Sequence, residues 1–337
     1  MAVAGARPAP APPRRRRIGS VEVLCAVLVL GMVGQSWIAE SLDIPAVRTG
    51  ATVFVAVCAQ ALPFLVLGVL ISGAIAAFVP PGVLRGALPR NEALAVTVAG
   101  AAGVALPGCE CASVPVARRL MRQGVAPAAA LTFLLAAPAV NPVVLVATAV
   151  AFPGEPAMVL ARFVGSLATA MVMGWLWARF GRLEWIIHRA LRDRPDAPDG
   201  SRWSVFAETA RHDVVDAGGF LVIGALTSAV LTVAVPADWV NAIGGQIALG
   251  VLVMALLAVL LALCSEADAF VAASLSGLPL LPRLVFLVVG PAVDVKLIAL
   301  QAGTFGRSFA LRFAPATFAV AVCCAVLAGV FVFGGVR

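Results

Sequence analysis

Apolar residues fall in long runs rather than in alternation. They occupy 20–39, 51–79, 93–108, 112–123, 125–152 and 157–178. After a polar stretch over 179–212 they resume at 213–235, 245–263, 265–276, 278–302 and 313–333. A helix needs about 20 apolar residues to cross a bilayer, and several runs reach that length. The pairs 93–108 with 112–123 and 245–263 with 265–276 contain shorter pieces. Twelve helical residues cover about 18 Å against a hydrocarbon core about 30 Å thick, so each pair predicts a re-entrant helical hairpin. The tips fall at Gly108-Cys109-Glu110-Cys111 and at Cys264-Ser265-Glu266. The run after each hairpin is interrupted, first by Pro138 and Asn141-Pro142, then by Gly290-Pro291 followed by Asp294. Proline removes a helix hydrogen bond and frees carbonyls, so both runs predict broken helices.

The second set of runs repeats the first. Phe64-Leu65-Val66, Gly68, Leu70, Ser72 and Pro80 match Phe220-Leu221-Val222, Gly224, Leu226, Ser228 and Pro236 at an offset of 156. At an offset of 153, Cys111 matches Cys264, Gly124 matches Gly277, Phe133-Leu134 matches Phe286-Leu287, and Pro138-Ala-Val-Asn141 matches Pro291-Ala-Val-Asp294. Matches of Cys, Gly and Pro carry weight where matches of Leu or Val do not, and they indicate an internal duplication.

Arginine placement orients the chain. Residues 1–19 are an Ala/Pro-rich tail containing Arg14-Arg15-Arg16-Arg17, read as disordered and cytoplasmic; 20–39 reads as a retained first span rather than a cleaved signal. Alternating the spans from there puts 19 arginines inside, including those of the 179–212 loop, and three outside, Arg48, Arg283 and Arg337. Arg162 is left within a span, near its outer end. The repeat over 51–178 then starts outside, and the repeat over 213–333 starts inside. The expected fold is an all-α polytopic membrane protein with two inverted-topology repeats, each holding a re-entrant hairpin and a broken helix, plus one extra N-terminal span.

Composition agrees. Of 337 residues, 62% are apolar and 12% charged, against roughly 25% charged in a soluble domain. That excludes a soluble enzyme, a disordered chain and a collagen-like fibre. The net charge of +7 belongs to cytoplasmic loops, so no nucleic-acid partner is implied. The 24 basic residues are 23 arginines and one lysine, Lys296, inside an apolar run. Both histidines, His188 and His212, fall in the polar loop, so no His-based site lies in the membrane. There is no P-loop, no H-E-x-x-H and no G-x-S-x-G motif, and no cofactor is called for.

The residues that could carry chemistry gather near the tips. Cys109 and Cys111 sit at a polar, glycine-flanked turn, and the repeat places Cys264 opposite Cys111. Three converging thiolates would select a soft ion or a trivalent metalloid as substrate. Cys25, Cys58, Cys323 and Cys324 read as small buried hydrophobes. Glu110, Glu266 and Asp268 are costly at membrane depth unless paired or hydrated, and so mark either a structural ion pair or a substrate or proton pathway. Asp294 and Lys296 are either structural ion-pair members, with each other or with Glu266 and Asp268, or serve proton coupling or anion attraction; Asp294 and Glu266 are also candidate substrate ligands. Asn141 is the neutral counterpart of Asp294 and a candidate substrate ligand, with Pro138 and Pro142 shaping the break around it. Arg118, Arg119 and Arg122 read as anchors of the hairpin foot. Trp37, Trp175, Trp177 and Trp239 read as interface anchors.

Pro107-Gly-Cys-Glu-Cys-Ala-Ser-Val-Pro115, Gly124-Val-Ala-Pro127 and Ala137-Pro-Ala-Val-Asn-Pro142 together resemble the predicted permease family that includes the organoarsenical efflux permeases. The resemblance covers most of 51–333. It implies an integral membrane permease, in some members exporting trivalent methylated arsenicals by coupling to an ion gradient, with Cys109 and Cys111 as thiol ligands and Pro138, Asn141 and Pro142 as the broken-helix element. The chain departs from the family pattern at Glu110, where a small residue is usual, at Gln123, where a basic one is usual, and at Ala137, where Thr or Ser is usual. An acid between the thiols favours a harder or more cationic substrate. The expectation is therefore a secondary transporter of the cell membrane, multi-pass with its N-terminus cytoplasmic. Its partners are the lipid bilayer and a small solute or soft metal or metalloid, and a homo-oligomer is compatible with it. Two other classes stay open: a membrane thiol oxidoreductase using Cys109 and Cys111, and a non-transporting subunit of a membrane complex.

Overall fold

A computed structural model describes residues 45–80, 83, 86, 88–89, 91–105, 110–186, 201–234, 247–275 and 277–334. The tail over 1–19, the span over 20–39, Trp37, Trp239 and Cys109 lie outside the described residues. The protein is all-helical there, with no strand. Twelve α-helices follow in order: α1 Pro45–Phe78, α2 Glu92–Ala102, α3 Glu110–Arg122, α4 Pro127–Val140, α5 Pro142–Ala151, α6 Pro156–Phe180, α7 Arg202–Ala234, α8 Ile247–Leu261, α9 Ser265–Ser274, α10 Leu280–Ala292, α11 Val295–Thr304 and α12 Arg307–Phe333. The order of long, short, short, broken and long helices runs twice, α1–α6 and then α7–α12.

Six stretches among the described residues are long and apolar enough to cross a membrane: 45–78, 127–151, 156–180, 202–230, 280–304 and 307–333. At about 1.5 Å per residue, α2, α3, α8 and α9, with 11, 13, 15 and 10 residues, fall short of the roughly 30 Å core. These are the four short helices expected from the sequence.

The breaks fall where the prolines put them. Pro142 opens α5, where its missing N–H costs nothing, and it holds Asn141 in an extended conformation. Pro138 and Pro291 each lie in the last turn of the helix before the break, inside α4 and α10. Those two helices are buried on nearly every face, as an all-round apolar sequence demands. They anchor two apolar cores, one containing Cys111, Leu131, Leu134 and Phe309, the other Met254, Phe286, Val289 and Ala321.

The polar stretch over 179–212 is shorter than the sequence suggests, because α7 begins at Arg202, ahead of the apolar run at 213. Aromatic packing and a local charge pair hold this turn. Trp203 meets Phe78 edge-on at 5.5 Å and Phe206 at 6.0 Å, and Arg211 donates to Glu208 at 3.0 Å. The Ser72 hydroxyl donates to the buried Asp213 carboxylate at 2.7 Å, joining α1 to α7. Trp177 is not a simple interface anchor; it packs in a ring cluster with Trp185, Phe309 and Phe313.

Candidate functional site: two helix N-termini and two buried cations

Four helices begin at the two tips and the two breaks, and each brings an acid or amide to its first turn. Glu110 is the first residue of α3, and Cys111 follows it; both are buried. Cys264 is the N-cap of α9, with Ser265, Glu266 and Asp268 in its first turn. Asn141 caps α5, its Oδ1 accepting the Val144 N–H at 3.0 Å while its Nδ2 donates to the Ala137 carbonyl at 2.9 Å. Asp294 caps α11, its Oδ1 accepting the Leu297 N–H at 2.5 Å. The matched pair Asn141 and Asp294 therefore does the same local work in both halves. Helix N-termini favour negative charge by about 0.3–1 kcal/mol each, which partly offsets burying these acids.

Lys296, the second residue of α11, is 1% exposed. Its Nζ contacts Glu110 Oε1 across the two halves and lies 3.7 Å from Asp294 Oδ2. Two residues apart on a regular helix would not face each other; Asp294 reaches Lys296 because it is an extended cap rather than a helical residue. Cys111 and Cys264 both lie within electrostatic range of Lys296 and belong to one apolar cluster. The two tips thus converge on a single ammonium.

Glycines permit the approach. A Cβ on Gly68 would come within 2.5 Å of the Ala112 Cα, and one on Gly224 within 2.7 Å of the Lys296 Cα. These matched glycines bring α1 against the first tip and α7 against the lysine.

The second tip has its own cation. Arg162, fully buried on α6, donates to Thr148 Oγ1 at 2.6 Å and to the Ser265 carbonyl at 2.7 Å. Its place near the outer end of a span did not mark it as a site residue; the available signal was that it is the one arginine the inside–outside count left within the membrane. Asp268 is 2% exposed, and its Oδ2 fits a notch at Gly290, 2.6 Å from where a Cβ would stand. Asp268 Oδ2 and Glu266 Oε1 have no hydrogen-bond partner among the described residues. Pro138 is buried, whereas Pro142 is exposed. Among the described residues, no three His, Cys, Asp or Glu side chains are placed to hold one metal ion.

Buried charges gathered at broken helices within an apolar, multiply spanning bundle define a polytopic helical membrane protein of the permease type. The ArsP_1 family model, described as a predicted permease, matches residues 47–330, and the chain belongs to this family. It is 34% identical over 268 residues to UPF0718 protein YcgR of Bacillus subtilis (strain 168), covering 77% of this chain and 89% of that protein. It is 30% identical over 289 residues to a putative two-component membrane permease complex subunit of Streptococcus mutans serotype c, covering 82% of this chain and 94% of that protein. No solved structure matches.

Proposed function

We propose that this permease is a secondary transporter, coupled to an ion gradient, that exports a soft, thiol-binding solute such as a trivalent arsenical or a metal ion. One observation carries the reading: Cys111 and Cys264, from opposite halves, both stand within electrostatic range of Lys296, among four acids and, of the described residues, two buried cations. If all six groups are ionised, Glu110, Glu266, Asp268 and Asp294 against Lys296 and Arg162 leave two negative charges in excess. Such an excess at membrane depth calls for protons or a cationic solute. Glu266, Asp268, Asp294 and Lys296 are the coupling groups. Cys109, Glu110, Cys111 and Cys264 bind the solute, with Pro138, Asn141 and Pro142 shaping the break beside it. The two hairpins enter from opposite faces as inverted repeats, with the N-terminus cytoplasmic, and alternating access arises as one repeat moves against the other. Family membership and the absence of hydrolase motifs from the sequence favour a transporter over an enzyme.

Uptake into everted vesicles tests this with arsenite, methylarsenite, Zn(II), Cu(I) and Cd(II), run beside the Cys109→Ser/Cys111→Ser variant. At least one solute should move in the wild type and fail to move in the variant. Movement of none, or equal movement in both, overturns the thiol site. Labelling of cysteines placed beside positions 123 and 277 should report opposite faces; labelling from one face refutes the inverted repeats.

A second reading, a subunit of a two-component permease complex, is favoured by the printed name of the Streptococcus relative. Co-purification of a second membrane protein, required for flux in reconstituted vesicles, separates it from a self-sufficient carrier.

A further inference from the structure

The two buried cations are bound differently. Lys296 contacts a carboxylate, Glu110. Arg162 is held by neutral oxygens, one on Thr148 and one on Ser265, and its Nε has no partner among the described residues. An acid is nevertheless at hand. Asp268, one turn along α9, lies within electrostatic range of Arg162, is buried, and keeps an unpartnered Oδ2 beside Gly290. A guanidinium and a carboxylate buried in one neighbourhood without bonding form an incomplete ion pair. Both groups are already buried, so a bond between them would add a charge-assisted hydrogen bond without desolvating either one further.

We propose that Arg162 is a positioning residue that latches the second tip: here its guanidinium grips the Ser265 carbonyl and ties α9 to α5 and α6, and when the tip moves it exchanges that carbonyl for the Asp268 carboxylate. The latch rests on the permease reading, because it gives α9 two arrangements. Arginine suits the task because its planar fork reaches acceptors on two helices at once. The bonds join the halves, since Thr148 and Arg162 belong to the first and Ser265 to the second. Other charged groups in range of this neighbourhood are Glu266 on α9, Glu110 on α3 and Asp294 with Lys296 at α11. Of these, Glu110 and Asp294 are already engaged with Lys296 and Glu266 is only half-buried, which favours the buried Asp268 as the exchange partner.

Cys264, 5% exposed at the start of α9, reports on the latch in the full-length protein. Its alkylation by a membrane-impermeant maleimide is followed by peptide mass spectrometry, in intact cells and in everted vesicles. Arg162→Gln should raise the rate by about tenfold or more, the scale set by losing a charge-assisted hydrogen bond, and from one face only. Arg162→Lys, with charge but no fork, should fall between, and Thr148→Val should raise the rate by less. Asp268→Asn removes the exchange partner and should hold labelling at or below the wild-type rate. In Arg162→Gln/Asp268→Asn labelling stays high.

A wild-type rate in Arg162→Gln, with unchanged melting in detergent, overturns the latch. Labelling from both faces also overturns it, since that reports a loosened fold. If Arg162→Gln does not fold, wild-type rates in both Arg162→Lys and Thr148→Val overturn it instead. Cd(II) and methylarsenite flux are measured on the same vesicles. If labelling responds as expected while the wild type carries neither probe, the transport reading fails and the latch stands. Flux with unresponsive labelling gives the converse.

Discussion

Replacing Lys296 by methionine keeps an unbranched side chain one atom shorter and removes its charge. The ammonium contacts Glu110 and lies 3.7 Å from Asp294 Oδ2. Unit charges about 4 Å apart attract by roughly 4 kcal/mol at an effective dielectric of about 20. Relief from desolvating the lysine offsets part of that loss. The variant also leaves Glu110 and Asp294 in one buried pocket with no cation between them. Removing one partner of a buried pair costs about 3–5 kcal/mol, which is the expected loss for Lys296→Met. Reversible unfolding in mixed micelles of rising SDS fraction measures it. Glu110→Gln added to Lys296→Met should recover more than half, because it removes the acid that contacts the lysine. A loss within about 1 kcal/mol of wild type, below the range for a broken buried pair, would refute the reasoning. Strict additivity of the two substitutions would refute it as well, since residues in contact should couple.

Three further outcomes follow from the local geometry. Asn141→Ala should cost about 1 kcal/mol by removing a helix cap, and Asp294→Ala should cost more than that in the same unfolding assay, because it removes a cap and also a carboxylate 3.7 Å from the buried Lys296. Gly68→Ala and Gly224→Ala should each cost about 1–3 kcal/mol, because the added methyl meets the Ala112 or Lys296 backbone rather than a movable side chain. Ala262 has φ of 48° just before Cys264; Ala262→Gly should relieve about 1 kcal/mol of left-handed strain, so that an unchanged or lower midpoint counts against that backbone.

The sequence made the helices readable because apolar runs and prolines act locally. The breaks at Asn141 and Asp294 follow from Pro142 and Pro291 alone, and the short arms at both tips follow from length. The start of α7 was not legible, since Trp203 packs on Phe78 of another helix and Phe206 on Trp203. The cluster of Glu110, Asp294 and Lys296 was legible as a list of costly residues, but its pairing was not. Spacing on one helix cannot show that Lys296 reaches a carboxylate from the other half of the chain. Arg162 was harder still. Its acceptors are a hydroxyl and a backbone carbonyl, groups that every sequence contains and none advertises. The caps show a similar limit: the sequence marks Asn141 as a polar residue at a break, but not that its side chain bonds the Val144 N–H and the Ala137 carbonyl.

The solitary lysine also makes the site its own spectroscopic address. A protein with 23 arginines and one lysine, grown on lysine carrying ¹³C at Cε and ¹⁵N at Nζ, yields a single ε-resonance. That signal arises where the two halves meet. No assignment is needed and no probe has to be attached. Its shift and linewidth will follow the contact with Glu110 directly as solutes, lipids or ions are added.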